Sequence, residues 1–104
     1  MDINELTKKV LHVKSLYENF ENKKSYKNWT AEESYAGLVS DVGDLGRLVL
    51  AEEGFREMND LNKKLKHELA EILYNTLLLA NHYNIDLEQS FTDEINRLEK
   101  DLSK

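Results

Sequence analysis

Apolar residues recur at three- and four-residue intervals along almost the whole chain, which is the period of a helix with one buried stripe. The first stripe is Ile3, Leu6, Val10, Val13, Leu16 or Tyr17, and Phe20, and it predicts a helix over about 2–20. Glu21 to Asn28 breaks the period and reads as a basic, polar connector. Thr30-Ala31-Glu32-Glu33 has the spacing of a capping box, in which the threonine hydroxyl takes a free backbone N–H and the glutamate reaches back to the cap. A second helix therefore starts there. Tyr35, Leu38, Val42, Leu45 and Val49 carry its stripe to about Glu53, and Gly54 is its stop. A third helix is predicted from Asn59 or Asp60 to Tyr83, with Leu61, Leu65, Leu69, Ile72, Leu73, Leu77 and Ala80 facing the core and Asn84 closing it. Asp86 with Gln89 repeats the capping spacing and opens a fourth helix striped by Phe91, Ile95, Leu98 and Leu102.

Composition narrows this to one all-α domain over 1–104. There is no proline and there are only four glycines, too few breaks for a sandwich or barrel, so four helices with short connectors form a four-helix bundle. With 40% apolar residues in 104, one small core is affordable, and pairing with further copies would enlarge it. No apolar run of about twenty residues and no signal-like N-terminus occur, so the expectation is a cytoplasmic chain with no membrane partner. Absence of cysteine removes disulfides, thiolate metal sites and thiol nucleophiles. A net charge of −6 argues against DNA or RNA, whose affinity rests on Lys and Arg neutralising phosphates. A phosphorylated small molecule stays open to an acidic protein when a divalent cation lies between the charges.

Gly37-Leu38-Val39-Ser40-Asp41-Val42-Gly43-Asp44-Leu45-Gly46 lies mid-helix by pattern yet is built from poor helix formers. Its glycines, Ser40 and two aspartates cost the helix about 3–5 kcal/mol, a concession expected at functional sites or close helix contacts. Tight packing accounts for the glycines, but not for Asp41 and Asp44. These lie three apart on one face beside Leu38, Val42 and Leu45; Glu68 and Glu71 repeat the relation on the third helix, with Asn75 a turn further on. If the two helices pack antiparallel, four carboxylates converge, and oxygen ligands without sulfur or histidine select Mg²⁺ or Mn²⁺. Taken singly, each acidic pair is more often plain solvated surface. A di-iron bundle needs Glu-x-x-His, and none of His12, His67 or His82 has a glutamate three residues before it, so these read as surface histidines.

Ser40-Asp41-Val42-Gly43-Asp44-Leu45 and His67-Glu68-Leu69-Ala70-Glu71-Ile72-Leu73 resemble the Glu-Glu-x-x-Glu and Glu-x-x-Asp helices of the MazG-like all-alpha nucleoside triphosphate pyrophosphohydrolases. Lys27-Asn28-Trp29 is similar to the basic residue and tryptophan that precede the first motif in many relatives, and Asn84-Ile85-Asp86-Leu87 to their Gly-Ile-Asp-Leu-like turn. The resemblance covers roughly 27–91. It implies a MazG-like bundle assembled as a homodimer or homotetramer, with Asp41, Asp44, Glu68 and Glu71 as metal ligands by position. Ser40 replaces the first motif acid, Asp41 and Asp44 are each a methylene shorter than glutamate, and Glu71 stands where aspartate is usual. Glu94 and Leu98 stand where relatives often have lysine and asparagine.

The activity so implied is Mg²⁺-dependent hydrolysis of a nucleoside triphosphate or modified nucleotide to the monophosphate and pyrophosphate, a house-cleaning of the nucleotide pool. Glu71 is the candidate to orient or deprotonate the water, though ligand and base are not separable in sequence. Lys27, Trp29 and Asn75 are the candidates for contacting substrate. Lys23, Lys24 and Lys27 read more simply as solvated connector charge, and Trp29 more simply as a staple into the core. The rival reading is a non-catalytic module that keeps the MazG-like shape and uses its stripes for self-association or protein docking.

Overall fold

A computed structural model describes residues 1–103 as four helices: α1 (Ile3–Lys23), α2 (Ala31–Glu52), α3 (Leu61–His82) and α4 (Leu87–Leu102). No strand occurs among the described residues, so the chain is all-α, as the period of its apolar positions requires. Among the described residues, no helix is long and apolar enough to cross a membrane.

The helix ends follow from local chemistry. Asp2 caps α1 by accepting from the Glu5 N–H at 2.8 Å. Thr30 and Glu33 close a full capping box at α2. At α4 only half of the expected box forms: the Asp86 carboxylate accepts from the Gln89 N–H at 3.1 Å, while the Gln89 amide turns forward to Asp93 at 2.8 Å. Gly54 (φ 89°) ends α2 in the left-handed region, and the Phe55 N–H returns to the Leu50 carbonyl at 2.9 Å. Asn84 (φ 57°) does the same for α3, with Ile85 bonded to Ala80. α1 runs three residues past its predicted end because Glu21 and Lys23 are good helix formers and the stop is Ser25, which enters the left-handed region at φ 58°.

The chain divides into two compact units. One comprises residues 1–28 and the chain from Ala80 onward, with α1, the end of α3 and α4. Here the Glu88 carboxylate ties α4 to α1, accepting from the Ile3 N–H at 3.2 Å and the Asn4 amide at 2.7 Å. The covered face of α1 follows Ile3, Leu6 and Val10, then swings to Leu11, Lys14, Glu18 and Glu21. The rest of the predicted stripe, Val13, Leu16, Tyr17 and Phe20, is exposed, as are Phe91, Ile95, Leu98 and Leu102 on α4.

The other unit is Trp29–Leu79, holding α2 and most of α3. Its core is Leu48, Ala51 and Leu77, with Ser34 and Asn75 as buried polar residues. Leu61, Leu65 and Ile72 are half-covered, whereas Tyr35, Val42, Val49, Leu69 and Leu73 are exposed. The apolar stripes are thus wider than the surface one chain covers.

Candidate metal centre

The glycine- and aspartate-rich run of α2 stays helical throughout. Of its glycines, Gly37 has close neighbours: a β-carbon there would sit 3.4 Å from the Trp29 ring and 3.5 Å from Asn75 Nδ2. A methyl group would be in ordinary contact, and anything larger would displace one of the two. A β-carbon at Gly43 or Gly46 would meet nothing within 4 Å, so close packing inside this chain does not explain those two.

Gly37 and Asp41 of α2 meet Asn75 of α3, while Asp41 and Asp44, further along α2, meet Glu68, which is earlier on α3. The pairing runs in opposite directions, so the two helices are antiparallel here and their acids converge. One carboxylate oxygen from each of Asp41, Asp44 and Glu68 lies within 4.8 Å of the others. All three residues are half-buried. The Asn75 amide, on a side chain only 5% exposed, donates to Asp41 Oδ2 at 3.1 Å. Arg47, one turn along α2, pairs with Asp44 from the solvent side.

Like charges so close repel by on the order of 3 kcal/mol per pair at an effective dielectric near 20. Glu68 carries the consequence. Loss of hydration, then the Asp41 and Asp44 charges, and more weakly Glu71, push its carboxyl above the ordinary glutamate range against the pull of His67. Its Oε2 is buried without a hydrogen-bond partner, and a buried acceptor left unpaired costs free energy unless something else satisfies it.

A small hard cation fits this donor set. Oxygens on one octahedral Mg²⁺ stand about 3.0 Å apart in cis and about 4.2 Å apart in trans, so gathering these three asks for side-chain adjustments of up to about 2 Å, within reach of rotamer changes. The orphaned Glu68 oxygen supplies the vacant lone pairs, and the absence of sulfur from all three favours Mg²⁺ or Mn²⁺ over softer ions.

The other expected site residues are placed differently. Glu71 is outside the three-carboxylate group, 3.9 Å from His67 Nε2. Trp29 is 54% exposed, with one edge of its ring on Gly37. Lys27 is exposed and belongs to the other unit. Sequence reasoning missed two contacts. The Asp44–Arg47 pair was open to view as an i,i+3 spacing of opposite charges. The Asn75–Asp41 bond, between residues 34 apart, left no local signal.

No family model matches the sequence, and no solved structure matches it. Among curated proteins, a phosphoribosyl-ATP pyrophosphatase of Clostridium acetobutylicum is 30% identical over 104 residues, which is 100% of this chain and 91% of the relative. The chain belongs to the MazG-like all-alpha nucleoside triphosphate pyrophosphohydrolases. Its first motif has Ser40, Asp41 and Asp44 at the acid positions of the Glu-Glu-x-x-Glu pattern it resembles. The shorter aspartates of α2 nonetheless come within reach of the longer Glu68 on α3.

Proposed function

We propose that this MazG-like protein is a Mg²⁺-dependent nucleotide pyrophosphohydrolase, cleaving a nucleoside triphosphate or a modified nucleotide to a monophosphate and pyrophosphate. The observation that carries the proposal is the convergence of Asp41, Asp44 and Glu68, the last of which has a buried, unpartnered carboxylate oxygen. The pyrophosphatase relative supports the reaction class. Its name specifies phosphoribosyl-ATP, which makes that compound one candidate substrate here among other triphosphates.

Asp41, Asp44 and Glu68 would hold the ion, with Glu71 entering either as a fourth ligand or as the base. When bound, Mg²⁺ (or Mn²⁺) supplies charge for the phosphate oxygens and acidifies a coordinated water. Glu71 orients a water and takes its proton as the oxygen bonds to the α-phosphorus; the bond to the bridging oxygen breaks and pyrophosphate leaves with that electron pair. Trp29, more than half exposed with its ring edge at Gly37, one helical turn before Asp41, offers a face on which a base can stack, worth about 1–3 kcal/mol.

The exposed stripes of α1 and α4 support assembly as a homodimer or homotetramer, since apolar faces of this kind call for a partner surface. The same stripes favour the second reading, a docking module without catalysis. Pyrophosphate release across canonical and modified nucleotides, phosphoribosyl-ATP included, separates the two when Asp44→Asn serves as control. Turnover on at least one nucleotide, lost in the control, is expected; none above control on any nucleotide would leave the module.

A further inference from the structure

Asn75, a substrate-contact candidate by sequence, is buried instead, and the hydrolase reading does not use that burial. It is 5% exposed, in a molecule where most polar side chains reach water, and burying an amide is costly unless its groups are paired. Its Nδ2 spans from α3 to α2 and donates to Asp41 Oδ2 at 3.1 Å. A β-carbon at Gly37 would lie 3.4 Å from the Trp29 ring and 3.5 Å from this amide, so Gly37 leaves the amide its place against α2. A carboxylate has two oxygens that rotate together about one bond. Fixing Oδ2 on Asn75 therefore fixes where Oδ1 goes.

We propose that Asn75 is a positioning residue: it holds Asp41 by one oxygen so that the carboxylate stays turned toward Asp44 and Glu68 for a divalent ion. This rests on the reading of that cluster as a metal site. The amide is suited to the task because it donates without adding charge. A lysine there would compete with the cation, and an aspartate would add a fourth like charge. Gly37 belongs to the same device, since a large side chain at that position would displace either Trp29 or the amide. Partners that orient a metal ligand typically change affinity by about 10–100-fold when removed.

The test is titration of the metal-free, full-length chain with Mn²⁺ alone, following free Mn²⁺ by electron paramagnetic resonance, beside the melting temperature of each metal-free variant. Asn75→Leu is expected to weaken Mn²⁺ binding about tenfold or more. Leu77→Val, a cavity in the same core two residues along, is expected to lower the melting temperature and leave affinity unchanged. Asn75→Ser, smaller and still polar, takes the place of Asn75→Leu if the latter does not fold. Affinity that falls only with the Asn75 variants supports the positioning role. Affinity that follows the melting temperature across both positions overturns it, as does an Asn75 variant that binds as tightly as the wild type. A wild-type chain that takes up no Mn²⁺ overturns the metal site itself and this inference with it.

Discussion

Two groups of acidic residues in this chain have the same chemistry and opposite electrostatics. On α4, Glu94 and Asp101 stand three before and four after Arg97, whose guanidinium reaches both: Nε to Glu94 at 3.2 Å and a terminal nitrogen to Asp101 at 3.1 Å. The Arg97 hydrogen bond holds the Glu94 carboxyl below its ordinary range. Between α2 and α3, Asp41, Asp44 and Glu68 meet mainly one another, and Glu68 is pushed up. Arg47 relieves only Asp44, and from the exposed side. Both acids of the α4 group reach one guanidinium supplied by their own helix. The other group sets three acids against Arg47 alone and leaves two charges for a divalent cation to offset, which is what separates a solvated helix face from a candidate site. Counting acids would not have told them apart.

The sharpest way to break this comparison is to remove one acid from each group. Asp44→Asn or Glu68→Gln should lower pyrophosphate release by about 100-fold or more, because each deletes a ligand from a small set. Glu94→Gln should leave turnover unchanged. Equal losses at both places, or none at either, would show that the α2–α3 convergence has no special part in catalysis. Next in size is the effect of Mg²⁺ on stability. A cation bound only by the folded state at about 100 times its dissociation constant adds about 2.7 kcal/mol, a rise of roughly 10 °C or more in melting temperature for a domain of this size. Scanning calorimetry with and without millimolar Mg²⁺ checks it, and Asp44→Asn should remove most of the rise while Arg97→Ala leaves it intact.

The same division marks what was legible in the sequence. The four helices were, because apolar period, the Thr30–Glu33 box and the Gly54 and Asn84 stops are local signals, and each acts within a few residues of where it is written. The i,i+3 pairs Asp41/Asp44 and Glu68/Glu71 were also legible as shared helix faces. Which of them converge was not, since that depends on the rotation of one helix against the other. A turn of α3 that brings Glu68 inward leaves Glu71 beside His67, at 3.9 Å. The burial of Asn75 depends on the same rotation. The apolar stripes misled in one respect: period shows which residues share a face, and says nothing of whether this chain itself covers it, as Tyr17, Phe20 and Phe91 show.

A smaller effect sharpens the comparison within α2. Gly43→Ala adds a methyl group to open space and should stabilise the helix by about 1 kcal/mol. Gly37→Leu forces a side chain against Trp29 and Asn75 and should destabilise by about 1–3 kcal/mol, weakening Mn²⁺ binding as well. Denaturant unfolding reads both. If Gly43→Ala instead destabilises, a second copy of the chain covers that face of α2, and sedimentation of the same variant will show a loss of assembly.

The finest discrimination is the sign of the pH dependence. Glu94 has a depressed carboxyl, so the folded chain binds its proton less readily than the unfolded one; its contribution is present above the ordinary value of 4.5 and lost as pH falls through the lower folded value. Glu68 is raised, so the folded chain binds the proton more readily. Without metal its stabilising share is present below 4.5 and lost as pH rises through the higher folded value. Glu68→Gln should therefore gain stability relative to wild type as pH climbs above 4.5, whereas Glu94→Gln should lose it relative to wild type as pH climbs from below the folded Glu94 value to 4.5. Saturating Mg²⁺ should abolish the first difference, because the ion keeps Glu68 ionised, and leave the second untouched. Melting temperatures of the three proteins from pH 3 to 8, with and without Mg²⁺, give both slopes. A Glu68 difference that survives saturating Mg²⁺ would place that carboxylate outside the metal site, and the two acid groups would then differ only in how their neighbours are spaced.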